Sequence, residues 1–135
     1  MTQKVTLRMT RDGKFKPAGN IKLSELNPKE MLLFAAADCA GRTVMSLLKE
    51  RSSAVKNFEI AVEGTLNTPT LVAESRYAAI DVIYNIECRT LKEQIDISRA
   101  VNLAHDKYCG TMQMLKLIAP VSHQIAITAT EEVTA

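Results

Sequence analysis

The sequence predicts an α+β domain, because segments of alternating polarity lie on both sides of a long apolar helical run. Two further observations support this fold class: an amphipathic helical stripe follows the last long alternating segment, and a short alternating segment lies near the C-terminus. The 135 residues contain no internal repeat or linker, and this length is typical of one ordinary domain. We therefore expect a single domain over residues 1–135.

An N-terminal strand is predicted by Val5, Leu7 and Met9, which alternate with polar residues as in a half-buried strand. The Asp12-Gly13 pair that follows is a strong hairpin signal. We expect this hairpin to lead into a second short strand at about residues 20–23.

A long helix should begin after Asn27, which can act as the N-cap, with Pro28 at the first helical position and Glu30 completing a capping box. The run from Met31 to Ala40 is apolar on almost every side, and a helix of that kind is buried. With the residues that follow, the helix would be about 35 Å long, which is long for so small a domain. We infer that it runs through the centre of a larger assembly, such as a dimer.

The middle of the chain predicts two strands, because apolar and polar residues alternate over residues 58–66 and again over residues 79–88. Residues 67–70, Asn-Thr-Pro-Thr, have the composition of a turn. The two strands are therefore expected to form an antiparallel pair.

A second helix is predicted from Thr90, and Gly110 should end or kink it just after Cys109. Residues 112–118 form a short amphipathic segment after that point. A proline stops this segment, and residues 122–128 alternate as a last strand.

The composition excludes several classes of partner. Hydrophobic residues make up 47% of the chain and charged residues 24%, so the protein can fill a core and remain soluble. A net charge of +2 is too small to indicate nucleic-acid binding, and no lysine or arginine run indicates a membrane surface patch. The N-terminus lacks the apolar stretch of a secretory signal, and no segment has the ~18 apolar residues of a membrane helix. We therefore expect a cytoplasmic protein with no nucleic-acid or membrane partner.

The three cysteines, Cys39, Cys88 and Cys109, are the residues best suited to chemistry. Permanent disulfides are uncommon in a reducing cytoplasm, so such thiols are inert, redox-active or metal-bound. The sequence contains no Cys-x-x-Cys and no paired-histidine motif, which disfavours a metal site. Cys88 continues the apolar face of its strand, and we interpret it as a buried hydrophobic residue.

Cys39 lies in the middle of the long helix, three residues before Arg42. An arginine in the same cavity would lower the pKa of the thiol and favour the reactive thiolate, whereas an exposed Arg42 would be a plain surface charge. The residues leave both interpretations open. Cys109 stands at a helix end, four residues after His105, where a resolving thiol would be well placed to move toward a partner. His105 could act as a base, but a lone histidine on a helix is more often an ordinary surface or core residue, and we interpret His105 and His123 in that way.

Two segments that carry cysteines resemble motifs of the OsmC/Ohr family. Residues 27–39 combine Asn-Pro, an acidic residue, an apolar run, small residues and then a cysteine on a long helix. Residues 104–109, Ala-His-Asp-Lys-Tyr-Cys, resemble the second cysteine motif of the family, and residues 118–125 resemble the tail of OsmC-like members. The predicted order of elements is similar to that of the family over nearly the whole chain.

The resemblance implies a fold of antiparallel sheets wrapped around long central helices in an intertwined homodimer. It also implies a thiol-based peroxidase that reduces organic or hydrogen peroxide. Cys39 would be oxidised to a sulfenic acid, and Cys109 would condense with it to a disulfide. A dithiol reductant, of the lipoyl type in the Ohr branch, would reduce that disulfide by exchange. The resemblance implies no metal, flavin or haem cofactor.

The family also places a catalytic arginine near the N-terminal hairpin, and the resemblance assigns that role to Arg11, whose guanidinium would favour the thiolate. In the Ohr branch a glutamate directly follows the Asn-Pro pair, where this chain has Lys29. The acid here is Glu30, one position later as in the OsmC-like branch, and it should either reach Arg11 or cap the helix. This departure leaves open an alternative function, a non-catalytic redox-sensing or ligand-binding protein that keeps the fold.

Overall fold

The computed structural model describes residues 1–130. In these residues, three α-helices pack against a five-stranded sheet. In chain order the elements are β1 (Thr2–Met9), β2 (Phe15–Pro17), α1 (Pro28–Leu48), β3 (Val55–Leu66), β4 (Tyr77–Cys88), α2 (Leu91–Leu103), α3 (Gly110–Ile118) and β5 (Val121–Ala129). The α+β class predicted from the sequence is confirmed.

The sheet is mixed, with the strand order β2-β1-β3-β4-β5. β1 pairs antiparallel with β2 and with β3, and β3 pairs antiparallel with β4 as predicted. β5 runs parallel to β4, although the resemblance implied antiparallel sheets. Parallel pairing is possible because the connection over residues 89–120 contains two helices. It is long enough to bring the chain back to the end of the sheet at which β4 begins.

The second strand lies at Phe15–Pro17 and not at residues 20–23, so that prediction is wrong. The hairpin closes tightly, because Gly13 adopts φ of 80° and the N–H of Thr10 donates to the carbonyl of Lys14 at 2.7 Å. Pairing with β1 therefore resumes at once, leaving no residues for a longer loop.

Gly41 allows α1 to lie directly on the ring of Phe15. A Cβ atom at this glycine would stand 2.5 Å from the Phe15 ring, closer than such atoms approach one another. Phe15 in turn meets Phe58 of β3 edge to face, with ring centroids 5.2 Å apart. The helix, the hairpin and the centre of the sheet are thus packed together at one glycine.

The capping box at the start of α1 is present as predicted. The side chain of Asn27 accepts from the N–H of Glu30 at 2.8 Å, and the Glu30 carboxylate accepts from the N–H of Asn27 at 2.9 Å. The buried side of the helix packs against the sheet and against α2 and α3. The residues on that side are Leu33, Ala36, Ala37, Ala40, Gly41, Val44 and Leu48.

The other side of α1 carries apolar residues that nothing in residues 1–130 covers, including the exposed Met31, Leu32 and Ala35. By length and composition alone α1 could cross a membrane, although the sequence predicted no such segment. Seven of its residues are nevertheless buried against the sheet and the other helices.

The helical segment between β4 and β5 is interrupted at Cys109. α2 ends at Leu103 and is followed by a π-helical turn at Ala104–Tyr108, a type of turn found often at functional sites. Cys109 then adopts an extended backbone conformation, and α3 begins at Gly110. The predicted break lies where expected, but Gly110 opens the next helix instead of ending the previous one.

Candidate functional site

The side chains of Cys39 and Cys109 meet between α1 and the start of α3. Their Sγ atoms are 2.8 Å apart, and both cysteines are free thiols. A disulfide has a bond of about 2.03–2.05 Å, so these two sulfurs need to move less than about 1 Å to form one. The fold thus brings two residues that lie seventy positions apart in the sequence close enough to react with each other.

The two thiols differ in their exposure. Cys109 is fully buried, and its Sγ accepts from the N–H of Met112 at 3.4 Å, so that its side chain caps α3. Cys39 is only partly buried. An incoming molecule therefore reaches the sulfur of Cys39 before that of Cys109.

The two thiols also differ in acidity. Partial burial opposes ionisation of Cys39, but hydrogen bonds from the Cys109 thiol, from Thr111 and from Thr43 outweigh it and hold the pKa of Cys39 below its ordinary value. Burial, together with the hydrogen bond to Cys39, raises the pKa of Cys109 to about 12. The pair therefore favours one arrangement, in which Cys39 is the thiolate and Cys109 is the thiol that donates to it.

The N-terminus of α3 supplies the groups that favour this thiolate. After the Cys109 thiol, hydrogen bonding by the hydroxyl and the backbone N–H of Thr111, the second residue of the helix, contributes to the lowered pKa of Cys39. The positive end of the helix dipole lies at the same place and favours negative charge. The sequence did not single out Thr111, because cysteine is not among the residues that ordinarily mark a helix start.

Within residues 1–130, neither of the two arginines considered from the sequence contributes to the lowered pKa of Cys39. Arg11 is exposed on the turn between β1 and β2, and within residues 1–130 it makes no hydrogen bond or ion pair. Arg42 is exposed and forms an ion pair with Asp38 at 3.0 Å, which agrees with its interpretation as a surface charge. Hydrogen bonding, and not a nearby cation, lowers the pKa of Cys39 in the described chain.

Glu30 caps the helix, as one of its two predicted arrangements requires. It lies nine positions before Cys39, which corresponds to about 13 Å along the helix axis. It forms no ion pair with Arg11 within residues 1–130. Lys29, at the position of the Ohr glutamate, donates to the carbonyls of Val72 and Ala73 at 3.2 and 3.3 Å.

Cys88 lies at the end of β4 and is fully buried, as interpreted from the sequence. Its Sγ donates to the carbonyl of Thr90 at 3.4 Å. Burial, followed by the nearby Glu93 carboxylate, raises the pKa of this thiol. Cys88 therefore lacks the exposure and the lowered pKa of an activated nucleophile.

A second group of polar side chains surrounds His105, which the sequence gave no reason to separate from an ordinary core histidine. His105 is 1% exposed, and its Nδ1 lies 2.8 Å from the hydroxyl of Tyr84. Its ring stacks on that of His123, with centroids 4.0 Å apart. Burial, together with His123 and Lys116, lowers the pKa of His105 to about 4. His105, His123 and Asp106 are near enough to one another to share a metal ion.

Comparison with known proteins identifies one family. The model of the family described as OsmC-like protein matches residues 19–124. The protein YhfA of Escherichia coli strain K12 is 29% identical over 105 residues, which cover 76% of this chain and 74% of YhfA.

Solved structures share the fold at low sequence identity. The OsmC-like protein from Mycoplasma pneumoniae has a TM-score of 0.61 at 11% identity, covering 95% of this chain and 96% of its own. The organic hydroperoxide resistance protein OhrB of Bacillus subtilis has a TM-score of 0.53 at 15% identity, covering 93% of this chain and 97% of its own. At these identities the likeness establishes the fold alone.

Proposed function

We propose, from the premise that this chain belongs to the OsmC-like protein family, that it is a thiol-based peroxidase in which Cys39 attacks the hydroperoxide. The family includes proteins that act in hydroperoxide resistance, such as OhrB of Bacillus subtilis. The observation that carries the proposal is the pair of sulfurs 2.8 Å apart with oppositely shifted pKa values. A partly exposed thiolate beside a buried thiol is the arrangement that a peroxidatic and a resolving cysteine require.

In the first step, the Cys39 thiolate attacks the outer oxygen of the hydroperoxide. A sulfur–oxygen bond forms, the oxygen–oxygen bond breaks, and Cys39 becomes a sulfenic acid. The departing alkoxide must gain a proton, and the Cys109 thiol that donates to Cys39 is the nearest described donor at the sulfur. The transfer would leave Cys109 as a thiolate beside the sulfenic acid.

In the second step, the Cys109 thiolate attacks the sulfur of the Cys39 sulfenic acid, forming the disulfide and releasing hydroxide, which is protonated to water. A dithiol, of the lipoyl type or a similar small or protein-borne one, then reduces the disulfide by exchange. Its first attack should fall on the sulfur of Cys39, because Cys109 is fully buried and Cys39 is not.

A cytoplasmic homodimer is part of the proposal. The exposed apolar side of α1 at Met31, Leu32 and Ala35 supports it, since a second subunit would remove this surface from water. Within residues 1–130, neither Arg11 nor Glu30 contributes to the pKa shift of Cys39, and Glu30 instead caps α1. A catalytic role for these two residues therefore requires that a second subunit bring them to the site.

The test is turnover of cumene hydroperoxide by the purified protein with dihydrolipoate as reductant. Cys39→Ser should abolish turnover, and Cys109→Ser should leave a protein that is oxidised once and recycles poorly. Cys88→Ala is the matched control, because that thiol is buried and its pKa is raised. Full activity in the Cys39→Ser variant would refute the proposal.

The alternative is a redox sensor that is oxidised once per stimulus. Lys29 at the position of the Ohr glutamate favours it, as does the lack of any contribution from Arg11 to the pKa of Cys39 within residues 1–130. The same assay separates the two functions. A sensor would consume one equivalent of peroxide per chain even with excess dithiol, whereas a peroxidase would continue to turn over.

A further inference from the structure

We propose that His105, Asp106 and His123 form a binding site for one divalent transition-metal ion of the zinc class, built without the cysteines. One ligand atom from each of the three residues can be chosen so that all three lie within 4.8 Å of one another. The residues come from the π-helical turn before Cys109 and from β5. This site goes beyond the proposed peroxidase function and does not depend on it.

The buried nitrogen of His105 is the first independent sign of a ligand. Its Nδ1 is paired with the Tyr84 hydroxyl, whereas its Nε2 is buried and has no hydrogen-bond partner within residues 1–130. Buried polar atoms are nearly always paired, and each exception calls for an explanation. A metal ion bound at Nε2 would explain this one, with Nδ1–H then donating to the oxygen of Tyr84.

His123 has the same division of roles between its two ring nitrogens. Its Nε2 lies 2.9 Å from the side-chain oxygen of Asn102, which can accept its proton. Nδ1 is then the nitrogen left for a metal ion. Histidine ligands in metal sites usually donate their second ring N–H to an oxygen in this way, which fixes the orientation of the ring. Tyr84 and Asn102 supply these two oxygens.

Both the spacing of the ligand atoms and the tilt of the two rings must change for the residues to accept an ion. A tetrahedral zinc site with bonds of about 2.0–2.1 Å has ligand atoms about 3.4 Å apart. The three ligand atoms of this cluster lie at most 4.8 Å from one another, so each of their separations would have to shorten by about 1.4 Å or less. The stacked rings are inclined by 26° and must tilt further apart to direct both nitrogens at one ion.

The charges and the access route are compatible with a weakly to moderately bound ion. Asp106 is exposed, and it also lines an open groove of about 700 Å³ between α2 and β5, so an ion can reach its carboxylate from solvent. Lys116 opposes binding, because its ammonium lies 4.0 Å from the Asp106 carboxylate. The same ammonium donates to the carbonyl of His105 at 2.7 Å, which holds it close to that position. Three protein ligands would leave a fourth position for water.

The experiment must separate this site from the thiol pair, since thiolates also bind zinc. The full chain carrying Cys39→Ser and Cys109→Ser is stripped with EDTA and titrated with Zn²⁺ by calorimetry, and with Co²⁺ by visible absorption. We expect one ion per chain and tetrahedral Co²⁺ bands without sulfur-to-metal charge transfer.

Substitutions of the two accessible ligands then locate the ion. In the same background, His123→Ala and Asp106→Asn should each weaken Zn²⁺ binding at least tenfold, while the neighbouring control Gln124→Ala should leave it unchanged. His105 is too deeply buried for a safe substitution, so nitrogen NMR of its ring supplies the third measurement. Its Nε2 resonance should shift on Zn²⁺ addition.

Three results would overturn the site. The first is no Zn²⁺ binding by the protein that lacks Cys39 and Cys109. The second is unchanged affinity in either the His123→Ala or the Asp106→Asn variant. The third is an Nε2 resonance of His105 that stays in place when Zn²⁺ is bound.

Discussion

Thr111→Val should make Cys39 less reactive without displacing it. The substitution keeps the shape of the side chain and removes the hydroxyl that hydrogen-bonds Cys39. A hydrogen bond to a charged group is worth about 1.5–3 kcal/mol, and partial exposure of Cys39 to water should reduce this by about half. One pKa unit corresponds to about 1.36 kcal/mol, so the pKa of Cys39 should rise by about 0.5–1 unit.

The assay is the pH dependence of iodoacetamide alkylation at Cys39, resolved from the other two thiols by mass spectrometry. Below the pKa of the thiol, the alkylation rate at a given pH should fall about three- to tenfold, because the thiolate is the species that reacts. Thr128→Val, at an exposed position on β5, is the matched control. A Thr111→Val protein with the alkylation profile of the wild type would refute the assignment of α3 as the activating element.

Three further substitutions test the packing around the site. Asn27→Ala should lower the free energy of unfolding by about 0.5–2 kcal/mol in urea titrations, because it removes the cap of α1; an unchanged midpoint would contradict this. Gly41→Ala should lower the free energy of unfolding by about 1–3 kcal/mol, since the added methyl group meets the Phe15 ring. A melting temperature equal to that of the wild type would show that the ring moves aside freely. Tyr84→Phe should lower the free energy of unfolding by about 1–3 kcal/mol, because it leaves Nδ1 of His105 unpaired. An unchanged urea midpoint would indicate that water replaces the lost hydroxyl.

The sequence predicted the elements that depend on local signals. The capping box at Asn27 and the long helix after it are determined by residues within one turn of each other, and both are found as expected. The alternating strands at residues 55–66 and 77–88 are likewise determined by their own side chains. The second short strand was misplaced, because the tight turn at Gly13 left no loop between the strands.

Features that depend on distant parts of the chain were beyond the same reasoning. The parallel pairing of β5 with β4 is set by how the intervening helices return the chain, which no local pattern encodes. The hydrogen bonds from Thr111 to Cys39 and the stacking of His123 on His105 likewise join separate elements. The proximity of Cys39 and Cys109 was implied by the resemblance and could not be derived from their spacing alone.

The parallel pairing of β5 also has a consequence for the order of folding. β3 and β4 are antiparallel neighbours joined only by residues 67–76 and can pair early, whereas β5 must wait until residues 89–120 have collapsed into their helices. Closing so long a segment carries an entropic penalty before the new contacts compensate for it. We therefore expect amide protons of β5 to become protected after those of β3 and β4 during refolding. His123 would consequently join its partners only after the two sulfurs have already been brought together.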